Sequence, residues 1–197
     1  MPDGQHQPHK ADRRQDLILA AFRLIAEKGF EGFRVRDVAA HVGLNGATLH
    51  YYFPTKEDLI AAVVGYTIDR LRTLVAQPAS TQARPRDQLR QHLTRLYGLM
   101  KAEPELFIVL TEITVRARRT PGSAFLVEQN ERWHDLLQDI FQRGADCGDW
   151  PKELNAHAAA WSVMTLMEGV SLHAAEIPLR TDKVMAELFA WIEAGGS

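Results

Sequence analysis

The sequence has one cysteine, Cys147, so neither an intrachain disulfide nor a Cys-x-x-Cys metal or redox motif is open to it. A reducing, cytoplasmic setting is the simplest expectation. It has no apolar run at its N-terminus, and the charge-free segment Leu154 to Met167 falls short of the ~20 residues that a membrane span takes. A soluble protein that is not exported is expected. Charge of one sign is missing as well: 23 Lys and Arg against 25 Asp and Glu leave a net charge of -2, so no overall basic field announces nucleic acid. The first 56 residues hold 8 basic against 6 acidic side chains, which makes the front of the chain only slightly the more positive part.

Catalytic and cofactor signatures are equally scarce. There is no H-E-x-x-H, no Walker glycine loop and no dinucleotide fingerprint. Glu131 to His134 is a single E-x-x-H, whereas a di-iron bundle needs that motif twice with two further helical carboxylates. His157 and His173 are too far apart to sit on adjacent turns. Cys147 stands between Asp146 and Gly148 with no positive neighbour to favour a thiolate. Neither an enzyme nor a cofactor or metal is expected.

What the sequence does have is helical punctuation. All seven prolines from Pro54 onward fall between helix-like segments, at about 56–77, 87–103, 105–119, 123–146, 155–175 and 181–194, and no segment sustains strand-like alternation. The reading is an all-α protein of about nine helices. Residues 1–11 are polar, with nothing periodic to bury, and read as a flexible arm that either brings Lys10, Arg13 or Arg14 near a minor groove or is a solvated tail. From Asp12 to Lys28, Leu17, Ala21 and Leu24 with Ile18, Phe22 and Ile25 make an amphipathic helix that Gly29 ends.

The stretch Val35 to Leu59, VRDVAAHVGLNGATLHYYFPTKEDL, organises the rest. Val35, Val38, Ala39 and Val42 share one face of a two-turn helix. Gly43 suits a left-handed helix end and Asn45 an N-cap for a second helix, in which Leu49 and Phe53 face inward. Pro54 stops that helix, and Thr55 with Asp58 forms a capping pattern opening the next at Lys56. Two short helices around a glycine turn read as a helix-turn-helix.

This run resembles the DNA-binding segment of TetR-type bacterial transcriptional regulators. The matching residues are Val35-Arg36-Asp37-Val38-Ala39, Gly43-Leu44-Asn45, Leu49, Tyr52-Phe53, Lys56 and Leu59, at the family's spacing without a gap. Arg34 stands where the family has a capping Thr, Asn45 where it has Ser, and His50 where it has the first Tyr. The resemblance implies a helix-turn-helix domain over 12–55, a dimerisation and ligand-binding domain over 56–197, and a homodimer on a palindromic double-stranded DNA operator, most simply as a repressor. A regulator that binds DNA or partners without an effector is the alternative.

With the second helix in the major groove, Gly46 and Ala47 offer close backbone approach and little else. Arg36 matches a base-contacting arginine of the family and is the candidate for bidentate reading of guanine; phosphate contact or a solvated side chain are the alternatives. Thr48, His50, Tyr51 and Tyr52 can donate to phosphate oxygens, with half-burial the alternative for Tyr52, and the cap Asn45 completes the candidate surface. Lys56, in the first turn of its helix, is the candidate phosphate ligand.

Segment 155–175 is apolar or small on nearly every side, so it needs cover on opposite faces. Either it is the central helix of a monomeric bundle or a second copy covers it. The resemblance implies the latter, with 181–194 as its companion through Val184, Leu188, Trp191 and Ile192, and with Ala158, Ala159, Ala160 and Gly169 allowing close approach. For a small apolar or aromatic effector the candidates are Met100, Phe107, Trp133, Leu137, Trp161, Met164 and Glu168.

Overall fold

The computed structural model describes residues 10–75, 83–117, 124–174 and 177–194. Among these there are nine helices and no strand: α1 Lys10–Gly32, α2 Val35–His41, α3 Gly46–Tyr52, α4 Lys56–Val75, α5 Pro85–Ala102, α6 Pro104–Ala117, α7 Ala124–Cys147, α8 Ala156–His173 and α9 Pro178–Glu193. Most of the arm expected over 1–11, with Pro78 and Pro121, lies outside the described residues, but α1 already begins at Lys10. Its backbone leaves the helix at Gly29, where φ is 64°, as a glycine in that position permits.

Three prolines do more than separate helices. Pro85, Pro104 and Pro178 each open one, because the first turn has no partner for an N–H and proline's fixed φ already suits it. That is why α5 and α9 begin before the 87 and 181 expected from periodicity. In α9 the Ile177 carbonyl accepts from the Arg180 and Thr181 N–H groups at 3.0 and 3.3 Å, so the helix is already wound there.

The chain divides into two units, the first running to Arg72 and the second from Thr73. The division falls within α4. In the first unit α4 supplies a wall: Leu59, Ile60, Val63 and Ile68 are buried with Leu17, Ile18, Ala21, Phe22 and Ile25 of α1, and the Tyr66 ring meets Phe22 edge-on at 5.4 Å. Phe30 and Phe33 are buried in the same core.

In the second unit α7 and α8 pack along each other and α5 lies against α7. The α7–α8 connection is fixed by a tight approach. Trp150 lays its ring on Gly144, where an added Cβ would stand 2.0 Å from a ring carbon, and Phe141 flanks it at 5.0 Å. Gly148, at φ 84°, turns the chain back so that the Asp149 N–H reaches the Gly144 carbonyl at 2.7 Å. The Asp149 carboxylate, fully buried, accepts from the Arg84 guanidinium and from the Arg86 N–H at 3.1 Å, which ties this turn to the start of α5.

Candidate nucleic-acid interface

The geometry begins with the caps. Arg34 is the N-cap of α2 and its side chain makes no capping bond, so only its carbonyl, accepting from Asp37 at 3.0 Å and Val38 at 3.4 Å, starts the helix. After α2, Gly43 takes φ 67° and Leu44 donates back to the Ala39 carbonyl at 2.8 Å, which closes the helix and reverses the chain. The Asn45 carboxamide oxygen then accepts from the Thr48 N–H at 2.8 Å and the Thr48 hydroxyl at 2.9 Å. Leu49 and Phe53 are buried and anchor α3 to the unit. At Thr55 a reciprocal box forms: its N–H and hydroxyl reach Asp58 at 3.0 and 2.7 Å, and the Asp58 N–H returns to the hydroxyl at 3.0 Å.

With those anchors inward, α3 presents Gly46, Ala47, His50 and Tyr51 to solvent, Tyr51 with 67% of its surface exposed. Tyr52 is half-buried and meets Tyr51 edge-on at 5.3 Å. The Arg36 side chain is 76% exposed, its Nε 3.5 Å from the Asp37 carboxylate, so a guanidinium stands free of the core beside the turn. His50 Nδ1 lies 3.2 Å from the Pro54 carbonyl.

Three candidates are placed differently from what periodicity alone implied. Asn45 and Thr48 are bonded to each other, and the Thr48 hydroxyl proton is committed to the cap. Lys56 turns back to donate to the Phe33 carbonyl at 3.0 Å with its ammonium 5.2 Å from the Phe33 ring centroid, so it braces the α1–α2 connection. Periodicity also missed that Arg14 of α1 stacks over Phe53 at 4.9 Å, which sets a second guanidinium at the C-terminal end of α3. No local pattern links residues so far apart.

Two family models match this chain. Residues 17–63 match bacterial regulatory proteins of the tetR family, and residues 85–193 match the C-terminal part of BetI-type transcriptional repressors. The chain belongs to the TetR family. Among similar proteins, the HTH-type transcriptional repressor KstR2 of Mycolicibacterium smegmatis is 24% identical over 154 residues, covering 78% of this chain and 74% of that protein. A TetR transcription regulator from Haloarcula marismortui superposes with a TM-score of 0.75 at 24% identity, covering 91% and 97% of the two chains. AibR, solved with isovaleryl coenzyme A and operator DNA, superposes at 0.74 with 21% identity over 90% and 98%. This TetR family member is a DNA-binding transcriptional repressor, and α2 and α3 lie within the matched residues 17–63.

In the second unit the seven effector candidates differ in burial. Met100, Phe107, Leu137 and Met164 are buried. The half-buried Trp133 donates its indole N–H to His92 Nε2 at 3.0 Å, and burial, helped by Arg95, lowers the His92 pKa to about 4, so this ring is a neutral acceptor. Trp161 and Glu168, one helical heptad apart, are exposed on the other face of α8 from Met164. Trp161 instead lines an open groove of about 720 Å³ between α8 and α9, with Thr165, Gly169, His173, Arg180 and Val184. The stripe expected on α9 splits: Leu188 and Ile192 are buried within the unit, Trp191 is half-buried, and Val184 alone is exposed. Ala159 and Ala160 also turn inward, leaving Ala158 and Gly169 on the outer face of α8.

Proposed function

We propose that this TetR family repressor acts as a cytoplasmic homodimer joined through the outer faces of α8 and α9. The two α3 helices then enter successive major grooves of a palindromic operator. The carrying observation is the apolar character of that outer face: Trp161, Ile177 and Val184 are exposed and line one groove, and Leu172 and Leu179 are exposed on the same two helices. Large apolar side chains gathered in this way favour burial against a partner surface, and a self-complementary two-fold contact is the most economical one. A dimer also supplies what one short helix lacks, since two half-sites multiply the few base contacts that Arg36, Gly46 and Ala47 can make.

Within this reading Arg36 reads a base edge, His50, Tyr51 and Tyr52 contact phosphates, Asn45 and Thr48 set the entry angle of α3, and Lys56 adds positive charge at the start of α4 while bracing Phe33. Operator titrations over salt, on a matched and a scrambled duplex, test it. Arg36→Ala is expected to cost ~1–3 kcal/mol on the matched duplex and to relax specificity at one position. Lys56→Ala is expected to weaken both duplexes alike and to flatten the salt slope by about one unit for each phosphate that the ammonium neutralises. Unchanged binding in both variants removes this surface from the account.

Release by a small apolar or aromatic effector completes the proposal, with Met100, Phe107, Trp133, Leu137 and Met164 as the inner lining and Trp161 and Glu168 on the outer side of α8. The AibR complex with an acyl coenzyme A supports such a site in a protein of the same fold. A second reading, regulation without an effector, is favoured by the burial of Met100, Phe107, Leu137 and Met164 and by the bond between Trp133 and His92. Screening ligands for both thermal stabilisation and operator release separates the two.

A further inference from the structure

The His50 side chain of α3 is bonded to the turn that follows, and the bond constrains its chemistry. The Pro54 carbonyl can only accept, so Nδ1 at 3.2 Å must carry the hydrogen. Two forms of the ring satisfy this. In the neutral form Nε2 is a bare lone pair, which repels a phosphate oxygen; in the imidazolium both nitrogens donate. His50 is exposed near the C-terminal end of α3, and with the N-terminal end of a recognition helix nearest the bases, this end lies toward the sugar-phosphate backbone.

We propose that His50 holds the operator backbone as an imidazolium, so that each recognition helix takes up a proton when it binds phosphate. This rests on the reading of α3 as the DNA-contacting helix. Most of the charged groups on the neighbouring elements have partners of their own. On α1, Arg14 lies over Phe53. On α2, Arg36 is beside Asp37, with His41 in the last turn. On the following turn and α4, Lys56 is bonded to the Phe33 carbonyl and Asp58 to Thr55, with Glu57 adjacent. Tyr51 and Tyr52 are the remaining ionisable side chains of α3. A phosphate brought against Nε2 is therefore the new charge that favours protonation, and linkage requires affinity to rise as pH falls.

The test uses the full-length protein and a duplex that it selects from a random DNA pool. Between about pH 8 and about pH 6 the wild type is expected to tighten by roughly tenfold or more, and its salt slope to steepen by about 0.9 for each imidazolium that meets a phosphate. His50→Gln and His50→Tyr, which keep a polar group and remove the titration, are expected to lose most of both changes. An affinity that is flat or falls toward low pH, as for a neutral Nε2 accepting from a base amino group, overturns the proposal, as does an equal pH response in His50→Gln. Failure to select or bind any duplex at about pH 8 instead overturns the reading of α3 itself.

Discussion

At the scale of single residues, long side chains reach partners that helical periodicity does not encode. Lys56 was legible as the first residue of a capped helix and as a positive charge, but its bond to the Phe33 carbonyl joins residues 23 positions apart. Trp133 was legible as a helical aromatic with a polar tip; that it would donate to His92 across α5 and α7 was not. The burial of His92 has a measurable consequence. The folded pKa, about 4, lies below the ordinary 6.5, so the unfolded chain binds the proton more tightly. Stability is therefore fully present above about pH 6.5 and is lost as pH falls toward about 4, by up to roughly 3 kcal/mol from this residue. Urea unfolding at about pH 7 and about pH 4.5 checks it: His92→Gln, whose amide oxygen can accept the same indole hydrogen, is expected to lose less stability between the two than the wild type. Equal losses would place the pH sensitivity elsewhere.

Elements were the most legible scale because their ends are chemically marked. Gly43, Asn45, Pro54 and the Thr55–Asp58 pair are local signals, and each sits where a turn or cap forms. The length of α4 that belongs with the front unit was not legible, because membership depends on which helices bury Val63 and Ile68 and leaves no mark at the boundary. The same holds for the α7–α8 turn, where Gly144 reads in sequence only as a mid-helix glycine. Its purpose is the Trp150 ring, and Gly144→Ala is expected to cost ~1–3 kcal/mol because the added methyl group must displace a buried indole. Trp150→Leu in the same background should recover part of that loss in thermal unfolding. A Gly144→Ala protein of wild-type stability would show that the indole moves away freely.

The whole molecule is where sequence and structure complement each other. That α8 is apolar or small on nearly every side was readable from NAHAAAWSVMTLMEGVSLHAA. Which residues form each face was not, and the structure sorts them: Ala160, Val163, Met164 and Met167 inward, Trp161, Leu172 and Gly169 outward. If the outer face joins two copies, Leu172→Glu places two carboxylates in that contact, and the variant is expected to dissociate by roughly tenfold or more at equal concentration while keeping its helical content. Operator affinity should fall with it, since one recognition helix alone makes few base contacts. Sedimentation velocity of the wild type on a selected palindromic duplex tests the central claim most directly. Two chains per duplex, or a multiple of two, are expected, with Leu172→Glu failing to form that species; a single chain bound as tightly as the wild-type complex, or a monomer that ignores the duplex, would refute the dimer.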